Sequence, residues 1–155
     1  MLDSIKGLFE DWQYTRGIVK SFVQELSDTD LDKPFPRKKL NSIRKQCEEL
    51  VQIQSCYIKG IQTGDISFNY DKVADNSKSG LLTEMEKYDS ILEEILENCN
   101  GTEIINWHGQ DWNIHRHLSA MTGHEQMHIG QIIGFCYATD IQIPQQIVNE
   151  MALDG

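Results

Sequence analysis

An all-α fold, an antiparallel four-helix bundle, is what this chain predicts. Apolar residues recur three or four positions apart through four long stretches, the period of a helix that buries one face. Clusters of Gly, Pro, Asn and Asp separate those stretches, and no segment is rich in β-forming residues. With 155 residues, 39% hydrophobic and 25% charged, the chain has the size and balance of one globular domain spanning residues 1–155.

The first helix is predicted from about Ser4 to Leu26, on Ile5, Leu8, Phe9, Trp12, Val19, Phe22, Val23 and Leu26. It stops in Ser27-Asp28-Thr29-Asp30, and Pro34 and Pro36 keep the connector extended. A second helix is expected from near Arg37 to about Gln62, with Leu40, Ile43, Cys47, Leu50, Ile53, Tyr57 and Ile61 as its inner stripe and Gly64 as its end. Residues 63–79, rich in Gly, Asp, Asn and Ser around Ile66, Phe68 and Tyr70, read as a long ordered loop with one extended piece. The third helix follows from about Leu81 to Asn98, with its glutamates outward. A small hairpin fits Glu103 to Trp112. Asn113 then caps a fourth helix, from about Ile114 to Tyr137, and Pro144 precedes a terminal helical turn over Gln145 to Met151.

Composition narrows the function. A formal net charge of -10 repels phosphates, so nucleic acid is not an expected partner. The one basic cluster, Arg37-Lys38-Lys39 with Arg44 and Lys45, reads as a solvated helix start. Cysteines 47, 56, 99 and 136 form no C-x-x-C pair and suit reduced thiols, and neither a signal peptide nor a membrane span is visible, so a cytoplasmic protein is expected. Homodimerisation is a plausible expectation, since helix bundles of this type often pair, although no exposed seam in the sequence shows it.

Chemistry concentrates at His124-Glu125-Gln126-Met127-His128. On a helix, residues four apart stand about 40° apart on one face, so His124 and His128 can share a metal ion. All five histidines lie between His108 and His128, so a further ligand from another helix must be a carboxylate or a thiolate. Glu48 shares a face with Arg44, Lys45 and Gln52, read as the solvent face. Glu49 lies on the flank of the buried stripe, and a buried lone carboxylate is costly unless paired or bound to metal. It is either the third ligand or a rim residue in a salt bridge. Cys47, roughly 160° round the helix from Glu49, belongs to the core.

His117 is a candidate ligand seven residues before His124, favoured instead as a partner of the ligands or a rim residue, while His115 and His108 belong to surface or loop. Glu125 can act as general base or hold an imidazole in its tautomer. Two imidazoles and one carboxylate leave positions open, a set that suits zinc and also nickel, iron or manganese.

Two resemblances follow. His124-Glu125-x-x-His128 is the H-E-x-x-H of zinc metallopeptidases, in which the glutamate is the base. No histidine continues it as in metzincins, although Glu150 stands where a gluzincin would place its carboxylate, and no substrate-aligning sheet is visible. The second covers nearly the whole chain, through Leu26-Ser27-Asp28-Thr29-Asp30-Leu31, Ser42-Ile43 opening the second helix, His124-Glu125-x-x-His128-x-Gly130-Gln131 and Pro144. With these marks the chain resembles the DinB-like superfamily of metal-binding four-helix bundles. That resemblance implies a third histidine seven residues after the serine, the position held here by Glu49. The family usually has Arg at Ile129 and Gly at Asp140.

What the resemblance implies about activity is metal-assisted transfer of a low-molecular-weight thiol, with bacillithiol, mycothiol or glutathione as the family's thiols, or hydrolysis of a small molecule. Glu49, His124 and His128 would hold the metal, with Glu125 or His117 beside them. A non-catalytic metal-binding or stress-response protein is the alternative, since the third histidine and a clear nucleophile are both missing.

Overall fold

Four amphipathic stretches become four long helices, and the turn chemistry between them sets their ends. The computed structural model describes residues 1–154. Its elements are α1 (Asp3–Glu25), α2 (Asp28–Asp32), α3 (Ile43–Thr63), α4 (Lys78–Asn98), β1 (Ile104–Trp107), β2 (Gln110–Asn113), α5 (Ile114–Ala138) and α6 (Gln145–Glu150). Serine or asparagine side chains cap four of the helices: Ser27, Ser42, Ser77 and Asn113 each accept a backbone N–H of the first turn. Gly64, at φ 74°, closes α3 in the left-handed conformation that glycine tolerates.

The second helix begins at Ile43, not near Arg37. Leu40 sits at φ 50°, which no α-helix accommodates, and Phe35 donates its backbone N–H to Asn41 O at 2.7 Å, folding residues 35–41 into a loop of their own. Arg44 also departs from the expected solvent face. It is only 8% exposed and bonds the carboxylates of Asp28 and Asp32 at 2.7 Å each. Those two acids belong to α2, a short helix in a segment expected to be a plain stop; Ser27 Oγ accepts Asp30 N and donates to Asp30 Oδ2, a reciprocal cap.

The bundle is not antiparallel throughout. α1 packs on α4 and α5, and α3 packs on α4 and α5. Ser4 and Arg16 of α1 meet His115 and Glu125 of α5, so these neighbours run in the same direction. Gln46 and Tyr57 of α3 meet His128 and His117, so α3 runs against α5. Lys78, opening α4, bonds Gln24 O near the end of α1, which makes that pair antiparallel too. α3 and α4 are therefore parallel, and the chain must return along the bundle between them. Residues 64–77 make that return: Ile66 N bonds Asn106 O near the end of α3, and Asn76 reaches Glu48 and Arg44 near its start. The length of this loop is the geometric consequence of a parallel neighbour.

The hairpin forms as expected. β1 and β2 pair antiparallel from Ile104 opposite Asn113 to Trp107 opposite Gln110, and His108 and Gly109 turn at φ 52° and 90°. Positive φ at both turn residues matches the twist of the flanking strands. Apolar side chains of all four long helices fill the interior, among them Phe22, Leu50, Leu92 and Ile132, each 2% exposed or less. Among the described residues, no helix is long and apolar enough to cross a membrane.

Candidate metal centre

Glu49, His124 and His128 come together. Each offers one ligand atom, and the three atoms lie within 4.8 Å of one another. The Nε2 atoms of His124 and His128 are 3.3 Å apart, and His128 Nε2 is 3.4 Å from Glu49 Oε2. The antiparallel pairing of α3 with α5 places Glu49, on the flank of its buried stripe, opposite the histidine face. The centre lies at the edge of the core, since the Glu49 side chain remains 24% exposed while that of His128 is 1% exposed.

Gln46 decides which nitrogen of His128 is free. It is wholly buried, one turn before Glu49 on α3, and its amide N–H donates to Leu40 O at 2.8 Å, which leaves its carbonyl as the acceptor. His128 Nδ1–H donates to that carbonyl. The proton of a neutral His128 is thereby committed to Nδ1, and the Nε2 lone pair points at Glu49 and His124. Burial and the neighbouring His124 and Arg37 push the His128 pKa down to about 4, and burial lowers that of His124. Both imidazoles are then neutral near pH 7, the form a metal takes.

The donor set fits a cation for a further reason. Burial raises the pKa of the Glu49 carboxyl, and its Oε2 is buried without a hydrogen-bond partner among the described residues. When Glu49 is ionised and both imidazoles are neutral, three lone-pair-bearing atoms converge with at most one proton, on His124 Nε2, to share. A divalent ion satisfies all three at once.

The other candidates lie elsewhere. His117 is fully buried, not at the rim: its Nδ1 accepts Trp107 Nε1–H at 2.9 Å, and its Nε2 donates to Tyr57 O at 2.9 Å. Both ring nitrogens are used, so it has no lone pair for a metal and touches neither ligand histidine. Burial pushes its pKa down to about 4. His115 meets Ser4 Oγ at 2.9 Å on the first turn of α5, and His108 is exposed at the hairpin turn.

Glu125 turns away from the imidazoles. It is 2% exposed, and its Oε1 lies 2.9 Å from Arg16 Nε of α1. Arg16 also donates to Gln54, which donates to Asp89, which pairs with Lys20 at 2.7 Å. Glu125 is thus one end of an internal polar chain through all four long helices. One residue along a helix is a rotation of about 100°, which carries Glu125 off the face that His124 presents. Cys47, Cys56 and Cys136 are buried free thiols, and burial pushes Cys47 up to about 12, so none is a ready nucleophile.

Gln46 and Arg16 were not singled out in the sequence, although a polar residue on an apolar stripe is a visible signal for both. No family model matches the chain, and no curated protein matches it.

Proposed function

We propose that this protein binds one divalent metal ion, zinc in the first place, through Glu49, His124 and His128, and uses it on a small molecule. The observation that carries this reading is the convergence of three donor atoms while Gln46 holds the proton of His128 on the far nitrogen. Zinc bound there would supply a Lewis acid with positions left open for a thiol or water, as metal-assisted thiol transfer or hydrolysis requires. The chain's own part is to keep both imidazoles neutral, aim them, and contribute one negative charge.

The DinB-like resemblance supports thiol transfer. Ser42 caps α3 seven residues before Glu49, and Asp140, where that family usually has glycine, turns at φ 53°. A peptidase of H-E-x-x-H type needs its glutamate facing the metal, and the pairing of Glu125 with Arg16 argues against one. Metal analysis of tag-free protein tests the proposal. About one equivalent is expected in the wild type and none in His128→Ala; equal trace amounts in both would remove the site.

A structural, non-catalytic metal is the second reading, favoured by the burial of Cys47, Cys56 and Cys136 and by the engagement of Glu125 elsewhere. Chelation discriminates between the two. A structural ion lowers the melting temperature by many degrees when withdrawn, whereas an ion at an open site lowers it little.

A further inference from the structure

The loop between α2 and α3 is tied to the metal centre at two points. Gln46, which orients His128, also donates to Leu40 O in this loop, and Arg37 Nη1 donates to Gln131 Oε1 at 2.7 Å. Gln131 lies three residues after His128 and seven after His124, on the same face of α5. Phe35 stacks on Phe135 with ring centroids 4.2 Å apart, which fixes the loop from the apolar side.

Arg37 is therefore held over the turn of α5 next to His128 while its side chain faces solvent. Of its five N–H donors, one is engaged by Gln131, the only side-chain bond it makes among the described residues. Its positive charge reaches both Glu49 and His128. Lys38 and Lys39 follow it in sequence, both exposed, so this loop is basic on a chain of net charge -10. A locally positive rim on an acidic protein draws anions to that one place.

We propose that Arg37 is a specificity-determining residue which binds an oxyanion group, a carboxylate in the probe used below, of the small molecule that occupies the metal centre. The proposal rests on the metal reading above. A planar guanidinium with free donors presents a fork matched to such a group.

The test uses the full chain loaded with cobalt(II), whose visible spectrum reports thiolate binding, and two thiols of like size, mercaptoacetate and 2-mercaptoethanol. In each case the thiol proton passes to buffer as sulfur displaces water. Wild type should bind mercaptoacetate about tenfold more tightly than 2-mercaptoethanol, a charge-assisted hydrogen bond's worth. Arg37→Gln should erase that preference while still taking up cobalt, and Arg37→Lys, which keeps the charge and loses the fork, should retain part of it. A preference that survives in Arg37→Gln, or is absent from wild type, overturns the role of Arg37 and leaves the metal reading intact. Arg37→Gln that loses cobalt also overturns it, because the residue would then serve the metal and not the ligand. Wild type that takes up no cobalt overturns both.

Discussion

Two buried histidines on α5, His117 and His128, look alike in sequence and in burial and differ in one nitrogen. His117 spends both ring nitrogens inside the protein, one on the Trp107 indole and one on the Tyr57 carbonyl. His128 spends one on Gln46 and leaves the other facing His124 and Glu49. Burial alone therefore does not mark a ligand. The mark is a buried lone pair that the fold orients and does not use.

The comparison breaks most directly on the metal itself. His128→Ala should abolish metal binding, whereas His117→Ala should keep the metal, read by metal analysis of the two purified proteins. Metal lost from both would mean that the two histidines belong to one centre.

Glu125 extends the contrast to its neighbour His124. Glu125→Leu leaves Arg16 buried with its closest carboxylate gone, and breaking a buried pair from one side costs roughly 3–5 kcal/mol. Urea unfolding should show that loss while the metal content stays at wild-type level, whereas loss of metal at full stability would return Glu125 to the centre.

Acid should unfold the satisfied histidine's surroundings in a predictable window. An unfolded histidine takes its proton near pH 6.5, and His117 holds out to about 4. Below 6.5 the unfolded state binds more protons, so stability is present above that pH and falls as pH drops toward 4, by about 3 kcal/mol for this group. His128, also lowered to about 4, adds to the fall in metal-free protein. His117→Gln should reduce the slope of stability against pH by one proton, measured by denaturant titrations between pH 4 and 7; an unchanged slope would show that His117 titrates freely.

The smallest expected effect lies at the residue that separates the two histidines. Gln46→Leu removes the acceptor of His128 Nδ1–H and should weaken metal binding by about 10–100-fold, the usual cost of losing a ligand's supporting hydrogen bond. Competition with a chromogenic chelator measures it. Unchanged affinity would mean that His128 keeps its tautomer without Gln46.

Much of the helical frame was legible because periodicity and caps are local. The four long helices, the Asn113 cap, the hairpin and the pairing of His124 with His128 all follow from residues within a few positions of one another. Glu49 was legible as a flank position on a helix of known phase. The start of α3 was not, because the apolar residue at position 40 continued the periodicity while its backbone had left the helix at φ 50°.

By itself the sequence determined the course of the four long helices, short of the start of α3, and which side chains share a helical face, since both depend on the backbone repeat alone. Only the tertiary structure decided that α3 and α4 are parallel, that Glu125 faces Arg16, and that Gln46 claims one nitrogen of His128. Each of those depends on an atom supplied from a distant part of the chain: Gln46 stands 82 positions from His128. A helix repeat orders neighbours along one element, and only packing between elements assigns a lone pair its partner or leaves it free.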